Sequence, residues 1–182
     1  NLPKSGNVEI IPHGSNILGI SIAGPNSRKL LAKITDADVS AKAFRFMNIQ
    51  EMEIGMVSCL VGRLSYTGGL GYELWMAPDT QRTLLKLLLK DGSEFGIRLF
   101  GLRALNSLRL EKNYGSWATE YRPLYGPIEA GLNQFVSLKQ VTDFIGKASA
   151  IQEEVDGGTL RLRTFIVQAK DADVNGDEPI WF

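Results

Sequence analysis

The stretch "GRLSYTGGLGYELWM", residues 62–76, sets a carboxylate, Glu73, among the aromatics Tyr72 and Trp75 just past a glycine-rich turn. Two arrangements account for it. In one, a hairpin carries Glu73 into water, as most strand carboxylates are carried. In the other, the glycines let the backbone approach a flat ligand closely and Glu73 faces that ligand. The stretch by itself leaves both open.

Other chemistry is more narrowly bounded. Cys59 is the single cysteine, so neither a disulfide framework nor a thiolate metal cluster can be built. Its setting, "MVSCLV", reads as buried core rather than as a nucleophile with a base. The single histidine, His13, sits in the turn-like "IPHGSN", and no G-x-S-x-G elbow is present. Serine or cysteine triads and zinc chemistry are set aside, and no metal site is expected. Twenty basic residues balance twenty acidic ones without a clustered basic stripe, so a nucleic-acid partner is not expected. No apolar run approaches eighteen residues and no signal peptide is present, which points away from membranes. The expected compartment is cytoplasmic, or the mitochondrial matrix in a eukaryote.

The elements that must position Glu73 follow from periodicity. With 44% hydrophobic residues over 182 positions the chain can bury a sizeable core. "ILGISIAG" (17–24) reads as a strand, and "PNSRKLLAKI" as a short helix capped by Asn26 or Ser27. "DVSAKAFRF" suggests a further helical turn. Residues 47–66 read as two antiparallel strands broken at Gly55, and "YELWM" as the strand after the glycine turn. "PDTQRTLLKLLLKDGSEFG" reads as a helix opened by Pro78. "GLRALNSLRLEKNYG" reads as a second, with Leu102, Leu105 and Leu108 on one stripe and a stop at Gly115. "FIGKASAIQEE" is a shorter third. "TLRLRTFIVQAK" alternates as a strand should, "DADVNGDEP" is a polar turn, and "PIWF" is a last short strand. Strands mixed with helices without a βαβ rhythm indicate an α+β fold, an antiparallel sheet flanked by helices. The composition shift from Glu153 to Leu160 marks the expected boundary, giving a core over 1–156 and the beginning of another domain over 157–182. A start without Met and an end on a strand pattern suggest a chain truncated at both ends, with Trp181 and Phe182 on an open edge that invites self-association.

Four segments occur here in register: "SYTGGLGYEL", "GLRALNSLRLEK", "PIEAGL" and "DFIGKAS". In order and spacing they resemble the folate-binding module of the aminomethyltransferase (glycine-cleavage T-protein) family. The ending "ADVNGDEPIW" is similar to the branch of that family found at the C-terminal end of dimethylglycine and sarcosine dehydrogenases. The resemblance runs from "ILGISIAGP" onward. It implies a tetrahydrofolate-binding core followed by the start of a C-terminal β-barrel domain. It also implies a parent flavoenzyme, with FAD in a part before this chain, whose one-carbon product is captured as 5,10-methylenetetrahydrofolate. A non-catalytic regulatory or binding module with the same fold is the alternative.

The resemblance also assigns residues. Tyr66 and Glu73 match the family's folate contacts, because a carboxylate held in the plane of a pterin accepts from two ring-edge donors at once. Period two along the strand puts Trp75 on the face of Glu73, as a wall for the ligand, with Tyr72 and Leu74 on the other face. Arg109 matches a family arginine and reads as structural; Tyr114 and Trp117 read as core. Leu105 stands where T-proteins carry a folate-tail arginine, and Gly69 replaces a glutamate. The family's catalytic aspartate belongs before Asn1, so no catalytic residue is expected in these 182 residues, which by themselves are expected to be inactive.

Overall fold

Four strands make one antiparallel sheet in the order β1-β4-β3-β2, with β1 at Leu18–Ala23, β2 at Ile49–Ile54, β3 at Val57–Gly62 and β4 at Gly71–Met76. The structure is a computed structural model describing residues 8–158, 160–171 and 174–181. Among the described residues four α-helices are formed: α1 (Ser27–Ile34), α2 (Gln81–Gly92), α3 (Leu102–Glu111) and α4 (Lys147–Asp156). The chain divides after Tyr114 into two compact units. The sheet and the first three helices belong to the first. The α+β reading with an antiparallel sheet holds.

Alternation along the strands builds the core. Ile22 faces Tyr72, Ile20 faces Leu74, and Leu74 in turn faces Val61. Met52 faces Cys59 and Ile54 faces Val57 on the far pair. All lie on one side of the sheet, where α1 adds Leu30, Leu31 and Ile34 and α2 adds Leu84 and Leu88. Each fully buried side chain of this size contributes about 1.5–3 kcal/mol. Gly55 makes the β2–β3 turn with φ +61, a conformation that glycine adopts without a Cβ penalty.

Several elements differ from the sequence expectation. Residues 41–48 form turns rather than helix, and Phe44 drops into the core to stack on Tyr72 with ring centroids 5.8 Å apart. Asn26 gives no side-chain cap to α1; instead the Ser27 hydroxyl donates to the Gly24 carbonyl at 2.7 Å. Pro78 precedes α2 by a full turn, closed by Thr80 Oγ1 donating to the Ala77 carbonyl at 2.8 Å. α3 stops at Glu111, with Asn113 rather than Gly115 taking the left-handed conformation at φ +51. Its apolar stripe is not packed: Leu102 is 79% exposed, and the residue α3 does bury is Arg109.

In the second unit, α4 follows Gly146 at φ +89 and closes at Gly157 with φ +78. The strands expected at 159–170 and at "PIWF" are not formed among the described residues, and Thr159 and Phe182 lie outside them. Alternating apolar residues make a strand only where a neighbour satisfies their backbone groups, and here Leu162 donates its amide to the Glu129 carbonyl instead of to a ladder. The polar turn is recognisable, with the Asn175 and Gly176 amides donating to the Glu178 carboxylate at 2.7 and 2.8 Å and holding it below the ordinary glutamate range. Asp173 in that turn lies outside the described residues.

Candidate functional site

β4 presents Glu73 because its neighbours are committed to the core. Tyr72 and Leu74 are fully buried, so the period of two turns Glu73 to the opposite face. Tyr72 is fixed twice over, by its ring stack on Phe44 and by Arg28, whose Nε donates to the phenol oxygen at 3.0 Å. On the other face Glu73 stands between Ser21 of β1 and Gly62 of β3. Both neighbours are small, so the carboxylate rises unobstructed. It is half-buried, with neither a hydrogen-bond nor an ion-pair partner among the described residues, and the loss of solvent pushes its pKa above the ordinary glutamate value.

The loop from Arg63 to Leu70 carries Tyr66. Ser65 and Thr67 on either side of it are buried, their hydroxyl oxygens 2.8 Å apart. A side chain at Gly71 would meet the Ile22 carbonyl at 2.7 Å, and one at Gly68, which also has φ +70, would meet Tyr114 and Lys112. The glycines thus press the loop against β1 and the end of α3, leaving Tyr66 at the surface, 38% exposed.

Tyr66 and Glu73 open onto one cleft of about 1080 Å³, at the upper limit of the ~300–1,000 Å³ of small-molecule sites. Its walls are largely apolar: Leu99, Phe100, Leu105 and Leu108 on one side, Ile20 and Ile22 of β1 on the other. β1 is the edge strand. Because the Gly24 amide donates to the Leu70 carbonyl at 2.8 Å, the ladder bonds of β1 fall on Ile22 and Ile20. The amides and carbonyls of Ser21 and Ala23 therefore point off the sheet edge into the cleft. A half-buried carboxylate, an aromatic hydroxyl, a row of backbone donors and acceptors and apolar walls together suit a flat heteroaromatic ligand.

Of the residues expected at the site, the structure brings Tyr66 and Glu73 together on the cleft. Trp75 shares the face of Glu73 but lies one pair farther from the turn and does not line the cleft. Its indole lies over two glycines; a Cβ at Gly19 would be 3.2 Å from it and one at Gly62 2.9 Å. Arg109 is structural. It is 4% exposed, its Nε donates to Asn106 Oδ1 at 3.0 Å, and its Nη1 donates to the Tyr114 carbonyl at 3.2 Å, tying off the exit from α3. Tyr114 and Trp117 are 43% and 74% exposed, not core. Burial pushes the Cys59 thiol up to about 11, which removes it as a nucleophile. No group of His, Cys, Asp or Glu among the described residues is arranged to hold a metal ion, and no helix is long and apolar enough to cross a membrane.

Sequence reasoning missed the wall formed by residues 95–101, including Arg98, which periodicity divides between a helix end and a linker. The available signal was the density of apolar side chains around a lone arginine in "FGIRLFG".

Comparison with known proteins identifies the family over most of the chain. The family model described as GCVT N-terminal domain matches residues 1–140. Dimethylglycine dehydrogenase, mitochondrial, from Mus musculus is 39% identical over 163 residues, covering 90% of this chain and 19% of the relative. The Homo sapiens protein of the same name is 37% identical over the same shares. Aminomethyltransferase from Clostridium botulinum (strain Okra / Type B1) is 32% identical over 173 residues, 95% of this chain and 46% of the relative. The chain thus spans about a fifth of the dehydrogenases and about half of the aminomethyltransferase it matches.

Proposed function

This chain belongs to the GCVT N-terminal domain family, and from that membership we propose that it is the tetrahydrofolate-binding module of a dimethylglycine or sarcosine dehydrogenase-like flavoenzyme. One observation carries the reading: Glu73, a half-buried carboxylate without a partner among the described residues, lines with Tyr66 an apolar cleft large enough for a folate. No described residue pairs with that carboxylate, and leaving it desolvated costs stability. A ligand that brings two parallel N–H donors repays the cost.

In this reading Glu73 accepts from the exocyclic amine and ring N–H of the pterin, Tyr66 borders the ring, and Trp75 backs Glu73 by filling the space over Gly19 and Gly62. Leu105 and Leu108 exclude water along the remainder of the ligand. Bound tetrahydrofolate would supply the nitrogen nucleophiles for the one-carbon unit, giving 5,10-methylenetetrahydrofolate, and FAD elsewhere in the parent protein would supply the oxidising chemistry for the N-methyl amine. The 182 residues by themselves then transfer no one-carbon unit. In this reading the folate-binding core runs to Asp156 and the residues from Gly157 begin a C-terminal barrel domain, whose strands are not formed among the described residues. The mitochondrial naming of the mammalian relatives supports a matrix location in a eukaryote.

Leu105, where T-proteins carry an arginine, favours a second reading, a module that kept the fold and lost the ligand. Calorimetric titration with tetrahydrofolate separates the two. One saturable site, with a Tm that rises as the ligand is added, is the result expected of the first. Absence of binding at millimolar tetrahydrofolate would establish the second.

A further inference from the structure

Four charged residues line the cleft: Glu73, Glu111, Lys112 and Arg98. They are not evenly spread. Lys112 and Glu111 sit together at the C-terminal end of α3, and the base of Lys112 abuts Gly68 in the loop that leads to Glu73. Arg98 stands alone beyond the other end of α3, a helix of ten residues that spans about 15 Å. Between the two ends, Leu108 and Leu105 form an apolar track facing the cleft. Among the described residues the Arg98 guanidinium has no ion-pair partner, and its one hydrogen bond, from Nη1 to the neighbouring Ile97 carbonyl, is long at 3.4 Å. The other N–H groups of the fork remain available, and no carboxylate lines the cleft at that end.

We propose that Arg98 holds the carboxylate of an anionic ligand tail, so that the cleft reads a molecule with a donor-bearing flat head at Glu73 and negative charge at its far end. The inference rests on the folate reading, in which that tail is the glutamyl portion. An arginine fork pairs with a carboxylate through two parallel N–H···O contacts, a geometry that a lysine does not reproduce.

The test uses two ligands that share the head and differ in the tail: tetrahydrofolate, and 6-methyltetrahydropterin, which has none. Both are titrated against wild type, Arg98→Ala and Arg98→Lys, with Arg103→Ala, an exposed helix cation off the cleft, as the charge control. Arg98→Ala should weaken tetrahydrofolate about three- to tenfold, between the worth of an exposed ion pair and that of a bidentate one. It should leave 6-methyltetrahydropterin unchanged, with Arg98→Lys recovering part of the loss and Arg103→Ala losing nothing. Equal loss on both ligands, or unchanged tetrahydrofolate binding, would overturn the role of Arg98 while leaving the folate reading intact. Wild type that binds neither ligand would overturn both.

Discussion

Glu73 and Ser21 stand directly opposite each other at a non-hydrogen-bonded position of the β1–β4 ladder, where side chains lie close, and Ser21 is on the free edge of the sheet. The carboxylate is therefore one strand in from an edge that nothing in the sheet covers. It is sheltered enough to be partly desolvated and open enough to be reached from the cleft. That position carries a stability consequence.

The Glu73 pKa in the folded chain is raised by desolvation above its unfolded value, so the folded state disfavours the charged form. The cost is absent below the unfolded pKa and develops as pH rises through the folded one. Glu73→Gln should therefore match wild type in Tm at about pH 4 and exceed it at about pH 7, by less than about 1 kcal/mol because the group retains part of its solvent. Thermal melts of both proteins across this range check it. A Glu73→Gln protein less stable at neutral pH would mean the carboxylate makes a favourable contact within the fold.

Gly71 is where the loop of Tyr66 meets β1. A methyl group there would sit 2.7 Å from the Ile22 carbonyl and from Ser65 Cβ, and backbone cannot step aside as a flexible side chain can. Gly71→Ala should cost about 1–3 kcal/mol by overpacking and displace Tyr66 from the cleft. Denaturant melts give the first quantity, and tetrahydrofolate affinity per folded protein gives the second.

Arg109→Ala should cost about 1.5–3 kcal/mol, the range for hydrogen bonds to a charged group, because Asn106 and the Tyr114 carbonyl lose their shared donor. A folded variant that binds ligand normally confirms the structural role. Loss of tetrahydrofolate affinity without loss of stability would move Arg109 into the site.

How far the sequence carried depended on whether the deciding contact was local. The alternation Tyr72, Leu74, Met76 against Glu73 and Trp75 is a property of one strand and was legible. The further fate of Trp75 was not, because it depends on register: Gly19 and Leu60 fall opposite the indole, and the glycines at 19 and 62 draw it down onto the sheet. Leu102, Leu105 and Leu108 announce an apolar helix face, yet spacing cannot say whether a core or a cleft meets that face. The alternation at 160–170 likewise says nothing about a partner strand. Leu99, Phe100 and Arg98 belong to the cleft only through a fold that brings residue 98 and residue 20 to the same space.

The central claim is that Glu73 reads the pterin. Glutamine keeps the shape of the side chain but turns one of its two acceptors into a donor, which then faces a donor on the ring. In the flavoenzyme proposed as the parent, Glu73→Gln should weaken tetrahydrofolate by about 1.5–3 kcal/mol while amine oxidation proceeds at nearly the wild-type rate, so that formaldehyde is released in place of the folate product. Titrating tetrahydrofolate against both proteins, with formaldehyde measured in the same samples, is the most direct measurement. Weakened binding with formaldehyde escape is the predicted result; equal affinity in the two proteins would contradict the account and leave Glu73 as a surface carboxylate on a strand.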